Sequence, residues 1–269
     1  MEKRKAGQAK KSLGQHFLRS DAALEKITDA VSIEPGEVVL EIGPGHGELT
    51  ERLLRRGARV VAVEKDEALA DELCRSFAKE AEEGSLTVIA QDALAVPFAD
   101  LEGALKTADY KLVGNIPYYI TGALLRRFLT TEHQPSRIVF LIQKEVAERI
   151  ARDPKESLLS LSVKAYGDPH YHGTVKAGSF SPPPKVDSAI LVIASISRER
   201  FINSEADEEV FFRLLRLTFS QRRKQLKGML PFISEENFRA CKITPTDRPE
   251  DVSLEKWLCL ARPTLGDFF

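Results

Sequence analysis

The sequence predicts an α/β fold: an open sheet in one large domain, followed by a smaller all-helical one. Three observations carry this. Apolar runs of strand length alternate with amphipathic runs of helix length from Val38 to Ile193, as in repeated βαβ units. At 269 residues and 43% hydrophobic content, the chain can bury one large core and a second small one. From about Ser197 no strand-like run recurs, and helical stretches are separated by Pro231, Pro245 and Pro249. The expected division is a basic N-terminal segment over 1–20, a Rossmann-like domain over 21–196 and a helical domain over 197–269.

Composition narrows the function classes. There is no long apolar run and no charged-then-apolar leader, so a soluble, untargeted, cytoplasmic protein without membrane contact is expected. Cys74, Cys241 and Cys259 are odd in number and far apart, which predicts a reducing compartment and no zinc site. The formal net charge of -1 argues against a wholesale nucleic-acid coat, yet the charge is unevenly placed. Lys3, Arg4, Lys5, Lys10, Lys11 and Arg19 crowd the start, and Arg213, Arg216, Arg222, Arg223, Lys224 and Lys227 crowd a later helical stretch. Solvated helix faces would explain either zone; together they can form one face that meets phosphate.

After a polar start, Ser12 to Leu18 mixes a glycine with polar groups and two apolar anchors, Phe17 and Leu18. This segment is expected to fold over a site, with Leu18 against ligand or core and Gln15 or His16 meeting a polar group. A helix over Asp21 to Val31 follows, capped by Ser20 or Asp21. Val38 to Ile42 then reads as a buried strand, Gly43, Pro44, Gly45, His46 and Gly47 as a turn, and Glu48 to Arg56 as a helix. Such a turn lets a ligand approach the backbone beside a helix N-terminus. A dinucleotide fingerprint would place glycine at position 48, which is Glu48. The alternating glycines instead suit a nucleotide-type ligand with no pyrophosphate, as in S-adenosylmethionine enzymes.

The next strand, Arg59 to Val63, ends in Glu64, an acid placed to accept both ribose hydroxyls. After a helix over about Glu67 to Ala81, the strand Leu86 to Ala90 leads to Asp92, which can accept from an adenine amino group. The strand Tyr110 to Val113 leads to Gly114, Asn115, Ile116, Pro117 and Tyr118. An amide, a stiffened turn and a flat ring suit a planar base bearing an amino group. A solvated strand end or an ordinary turn would explain each of these sites alone. Four in chain order, all at carboxyl ends of strands, point to one ligand cleft.

A helix from Thr121, an apolar strand over Arg137 to Ile142, a helix over Gln143 to Arg152 and a short element over Leu158 to Tyr166 follow. His170 and His172 alternate with Tyr171 as in a strand, without the further ligand a metal would need. Phe180 precedes Pro182, Pro183 and Pro184, whose extended loop holds the ring still, so Phe180 can face Tyr118 across a stacked base or simply anchor the loop. Helices are expected over Asp207 to Phe219, Arg222 to Leu230, Glu235 to Cys241 and Ser253 to Ala261.

With these residues in view, the chain resembles the KsgA/RsmA family of ribosomal RNA adenine N6,N6-dimethyltransferases nearly end to end. The resemblance rests on Leu13 to Leu18, Glu41 to Gly47, Glu64, Asp92, Asn115 to Tyr118, Phe180 to Ser188, and Ser220 to Lys224. It implies a seven-stranded class I S-adenosylmethionine-dependent methyltransferase fold with a helical C-terminal domain. It implies, as activity, dimethylation of two adjacent adenosines in the 3′-terminal helix loop of 16S rRNA, on an immature small ribosomal subunit, by a monomer. Carried across by motif, the cofactor contacts are His16, Leu18, Gly43, Gly45, Glu64, Asp92 and Asn115. The family often has Asn where this chain has His16, and histidine can still donate a hydrogen bond. The catalytic set is Asn115, Ile116, Pro117, Tyr118 and Phe180: Asn115 and the carbonyl of Ile116 or Pro117 accept from the target amine, and the two rings sandwich the base. The RNA-binding set is Lys10, Lys11, Arg222, Arg223, Lys224 and Lys227, and no metal is implied. Rivals are a 23S rRNA resistance methyltransferase, a transcription-factor relative, and an assembly checkpoint whose binding matters more than its methylation.

Overall fold

The computed structural model describes residues 15–221 and 224–263. Expectations for Lys3, Arg4, Lys5, Lys10 to Gly14, Arg222 and Arg223 therefore lie outside the described residues. The elements begin with β1 (Phe17–Leu18), α1 (Asp21–Val31), β2 (Val38–Ile42), α2 (Glu48–Arg55), β3 (Arg59–Val63), α3 (Glu67–Ser76), α4 (Ala78–Glu82) and β4 (Leu86–Ile89). They continue with α5 (Phe98–Leu105), β5 (Lys111–Asn115), α6 (Thr121–Leu129), β6 (Arg137–Gln143), α7 (Lys144–Ala151), α8 (Leu158–Lys164) and β7 (Asp168–Val175). The last are β8 (Phe180–Ser181), β9 (Ser188–Ala194), α9 (Glu199–Ser204), α10 (Glu208–Phe219), α11 (Leu226–Met229), α12 (Glu235–Ala240) and α13 (Leu254–Leu260).

Seven strands form the main sheet in the order β4-β3-β2-β5-β6-β9-β7. Neighbours from β4 to β6 run parallel, while β9 runs antiparallel to β6. The chain passes outward from β2 to β4, then returns to place β5 on the other side of β2, so the strand order reverses there. At such a reversal the flanking connections leave in opposite directions and open a crevice at the carboxyl ends of the strands. Register levels the rows: Ile42 pairs with Val63 on one side and with Gly114 on the other. The residues that follow these three, Gly43, Glu64 and Asn115, therefore emerge at the same edge.

The central strands hold this edge firmly because they are buried on both faces, with Glu41 the one acid among them. All five residues of β2 are buried, and so are Ile138 to Ile142 in β6, as expected of strands covered by helices. One core joins Leu24, Ile27 and Val31 of α1 and Leu49 and Leu53 of α2 to Val39, Val60, Val139 and Val192 of the sheet. Ser20 is the N-cap of α1; its hydroxyl accepts from the Ala23 N–H at 3.3 Å, an arrangement worth about 1 kcal/mol.

The expected helix over Glu67 to Ala81 is broken at Phe77 (φ -119°, ψ 39°). The break seats the Phe77 ring against Gly47, where a Cβ would lie 2.5 Å from it; tertiary packing overrides a helical pattern there. α5 and α9 were not anticipated, and α11 is shorter than the helix expected over Arg222 to Leu230.

The described chain divides into two compact units, residues 1–147 with 170–196, and residues 148–169 with 197–269. The segment 148–169 thus joins the helical unit, although its place between strands put it in the first domain by sequence. The cause is an aromatic cluster: Tyr166 lies 5.5 Å from Phe201 and 5.8 Å from Phe212, and Phe211 lies 5.1 Å from Phe212, between ring centroids. Fully buried Trp257 fills the same unit. Cys241 and Cys259, read from their spacing as free thiols of a reducing compartment, form a disulfide with Cα atoms 5.6 Å apart, joining the C-cap of α12 to α13. The cysteines thus give no support to a reducing compartment. Among the described residues, no helix is long and apolar enough to cross a membrane.

Candidate active site

A cavity of about 280 Å³ opens at the carboxyl edge of the sheet. Gly43 and Gly45 after β2, Glu64 after β3, Asp92 after β4, and Asn115 to Tyr118 after β5 all border it, as do His16 and Phe180. The structure thus gathers residues from distant parts of the chain around one space. It also places Phe17, an anchor of the segment expected to fold over the site, and Lys65, Ala93, Leu94 and Tyr119 there; the last four carry no sequence signal that singles them out for the site.

The glycine turn serves packing as well as access. Gly45 has φ +60°, and a Cβ on it would lie 3.1 Å from two atoms of the Phe17 ring; its N–H donates to Glu64 Oε2 at 3.2 Å. By contrast, a Cβ on Gly43 would meet nothing closer than the Asn115 carbonyl at 3.9 Å, so glycine leaves this side of the cavity open. The β1 strand forms the rim: it pairs antiparallel with β8, matching Phe17 with Ser181 and Leu18 with Phe180. Adjacent strand residues point to opposite faces. Phe17 borders both the larger cavity and an adjoining space of about 40 Å³ at the glycine turn, whereas buried Leu18 lines only the smaller one, with Glu41 and Leu49.

Three acids differ by environment. Glu64 is buried and accepts the N–H groups of Gly45 and Asp66; desolvation raises its pKa against those backbone bonds. Asp92 sits nearer solvent, where Lys65 Nζ donates to Oδ2 at 2.7 Å and the Leu94 N–H to Oδ1 at 2.9 Å. The lysine bond is the main cause holding the Asp92 carboxyl below the usual carboxylate range. Glu41 lies fully buried on β2, and desolvation pushes its pKa up to about 8 despite the hydroxyl of Thr50 donating to it at 2.7 Å. An acid so placed holds its proton near neutrality, which removes a buried charge from beneath the turn.

Asn115 commits its amide nitrogen to the backbone: Nδ2 donates to the His16 carbonyl at 2.8 Å. Its side-chain oxygen is left as an acceptor. The two candidate carbonyls beside it are distinguished by the turn that follows. Pro117 O accepts from the Ile120 N–H at 3.1 Å within a 3₁₀ turn over Tyr118–Ile120, while no described residue donates to the Ile116 carbonyl. Tyr118 is tethered through its hydroxyl to buried Ser188 at 2.9 Å, and desolvation raises its pKa. Its ring stacks at 25° on that of His16, 6.4 Å between centroids. His16 Nδ1 donates to the Pro182 carbonyl at 2.7 Å, so the ring nitrogen left to meet a ligand is Nε2. Phe180 is buried and joins the core while touching the cavity.

Of the residues expected to meet RNA, Lys224 and Lys227 are described and exposed, and Lys227 Nζ pairs with Glu235 at 2.7 Å. Lys10, Lys11, Arg222 and Arg223 lie outside the described residues.

Known proteins share this architecture. A crystal structure of a dimethyladenosine transferase from Plasmodium falciparum superposes with a TM-score of 0.73 at 27% identity, covering 91% of this chain and 96% of that one. The 23S rRNA methyltransferase ErmE, at 24% identity and a TM-score of 0.69 over 91% of this chain and 97% of its own, shares the fold. A protein named ribosomal RNA small subunit methyltransferase A from Dehalococcoides mccartyi is 41% identical over 264 residues, 94% of this chain and 88% of its own. One of the same name from Anaeromyxobacter sp. is 38% identical over 275 residues, covering 96% and 94%. A family model described as ribosomal RNA adenine dimethylase matches residues 6–262. With strand ends, glycine turn and Asn-Ile-Pro-Tyr run arranged as above and that match spanning nearly the whole length, the chain belongs to the ribosomal RNA adenine dimethylase family.

Proposed function

We propose that the chain methylates N6 of two adjacent adenosines in the 3′-terminal helix loop of 16S rRNA, acting as a cytoplasmic monomer on an immature small subunit. The coarser statement follows from the family: it is an S-adenosylmethionine-dependent ribosomal RNA adenine dimethyltransferase. The convergence of Glu64, Asp92 and the Asn115 to Tyr118 run on one cavity supports the methyl-transfer site; the observation that favours the small-subunit substrate is the 41% identity, over 94% of the chain, to a protein named ribosomal RNA small subunit methyltransferase A.

The residues present fit the cofactor. Gly43 leaves room for a ligand against the backbone, and buried Glu64 retains lone pairs for two ribose hydroxyls. Asp92, kept ionised by Lys65, is an acceptor for an adenine amino group. His16 and Phe17 lie along the rim, and Gly45 contributes backbone; Leu18 would act from below, through packing. When bound, S-adenosylmethionine supplies the methyl group as an electrophile.

The protein's part is to bind and orient the adenine. Asn115 Oδ1 and the Ile116 carbonyl are two acceptors for the two N–H bonds of the target amine. Accepting both draws the nitrogen toward a pyramidal form whose lone pair is free of the ring, and Tyr118 offers a face for a base taken out of its stack. Phe180 is assigned the opposite face. No side chain in the run is a titratable base, and none is required: the surplus proton is acidic once the nitrogen carries its new methyl. Catalysis is mainly positioning. Lys224, with Arg222 and Arg223 and the basic N-terminal Lys10 and Lys11, is assigned to phosphate contact.

The test is methyl transfer from labelled S-adenosylmethionine to undermethylated small subunits, beside large-subunit RNA and naked DNA, with the product nucleoside identified. Dimethyladenosine confined to small-subunit RNA supports the assignment. Product on large-subunit RNA, or tight subunit binding without transfer, overturns it.

A further inference from the structure

Arg127 of α6 spends its guanidinium on the backbone of a loop. Nη1 donates to the Leu94 carbonyl at 3.0 Å and Nη2 donates to the Val96 carbonyl. The plane lies over Phe98, with Cζ 4.3 Å from the ring centroid, and Nε is sealed from solvent without a partner. Among the described residues no carboxylate forms an ion pair with it. Desolvating a cation is costly, and here that cost supports a stretch without regular structure.

That stretch starts at Asp92. The Asp92 backbone carbonyl accepts from the N–H groups of Ala95 and Val96 at 2.8 Å each, and Asp92 Oδ1 accepts from the Leu94 N–H. The loop curls back on its own acid, which turns the Leu94 and Val96 carbonyls outward, to where the Arg127 fork meets both. Ala93 and Leu94 border the cavity beside Asp92, whereas Arg127 does not. The arginine therefore does not touch a ligand: it acts through the loop, and through its positive charge, which also helps hold Asp92 ionised.

We propose that Arg127 is a positioning residue for the adenine end of the cofactor site. By clamping Leu94 and Val96 it fixes the aim of the Asp92 carboxylate, and so sets the preference for a purine with an exocyclic amino group over one with a carbonyl there. The proposal rests on Asp92 being the acceptor for that amino group. Lysine is a poor substitute, because a point charge cannot span two carbonyls as a planar fork does.

The experiment is calorimetric binding of S-adenosylhomocysteine and of its deaminated counterpart, S-inosylhomocysteine, to the full chain and to Arg127→Met, Arg127→Lys and Asp92→Asn. Methyl-transfer kinetics are measured on the same preparations. Arg127→Met should cut the wild-type preference for the adenosyl ligand roughly tenfold, as expected for one misaligned charge-assisted hydrogen bond. KM for S-adenosylmethionine should rise with it, while kcat at saturating cofactor stays within about twofold. Arg127→Lys should fall between, and serves alone if the methionine variant does not fold. Equal weakening of both ligands by the Arg127 variants, with Asp92→Asn still losing the preference, overturns the positioning role only. An unchanged preference in Asp92→Asn overturns the reading of Asp92 and the proposal with it.

Discussion

The side-chain amide of Asn115 donates to the backbone carbonyl of His16 at 2.8 Å, across 99 residues of chain. One half of the amide is thereby tied to the rim segment that pairs with β8. The other half, Oδ1, remains for the substrate. Under the proposed mechanism, the bond that ties the N-terminal segment to β5 also orients Oδ1, and a carboxylate at this position could not make it.

Asn115→Ala should lower turnover about 10²- to 10³-fold, the scale for losing one preorganised hydrogen-bonding group, with a much smaller change in S-adenosylmethionine affinity. Asn115→Asp should be comparably impaired, since its oxygens cannot donate to His16. Single-turnover methyl transfer alongside cofactor titration checks both; a parent-like rate in either removes Asn115 from catalysis.

Glu64→Gln should weaken cofactor binding about tenfold, because a charged acceptor of ribose hydroxyls becomes neutral. Turnover at saturating cofactor should change little. Calorimetry against S-adenosylhomocysteine reads the first effect, and an affinity equal to the parent's would move the ribose elsewhere.

Glu41 has a folded-state pKa raised to about 8, chiefly by desolvation. The folded protein therefore holds a proton that the unfolded chain releases from about pH 4.5. Its contribution to stability is fully present below the unfolded value and is lost as pH rises toward 8. Glu41→Gln keeps an acceptor for Thr50 and carries no charge, so the melting temperature of the parent should fall relative to this variant between about pH 5 and 9. Parallel curves would place a different group under that transition.

Gly47 combines φ +89° with a Cβ position 2.5 Å from the Phe77 ring and 2.8 Å from Leu73. Gly47→Ala should cost about 1–3 kcal/mol from backbone strain alone, plus the clash. In a Phe77→Ala background the clash component should shrink, giving a favourable coupling in a double-mutant cycle of denaturant midpoints. Strict additivity would mean that strain alone sets the cost.

Arg222→Glu and Arg223→Glu should weaken RNA binding and flatten its salt dependence by about one unit of slope for each phosphate that is no longer neutralised, leaving cofactor affinity intact. A slope like the parent's would place the RNA-binding face elsewhere.

The sequence by itself determined the elements whose chemistry is local. Runs such as Val38–Ile42 and Arg137–Gln143 are rich in apolar residues, and glycines, acids and Asn115 at strand ends marked the cleft, because parallel strands fix which end faces the ligand. Tertiary structure decided whatever depends on partners far away in the chain. Phe77 breaks a helix to fill the space at Gly47, and segment 148–169 follows its aromatic contacts into the helical unit. That the Pro117 carbonyl is occupied follows from the 3₁₀ bond from Ile120, and that Phe17 but not Leu18 reaches the larger cavity follows from strand pleating. Arg127 gave no local signal, since an arginine on an amphipathic helix reads the same whether it faces solvent or clamps a loop. Residue periodicity encodes which face is buried; only the fold supplies the carbonyls, rings and charges waiting there.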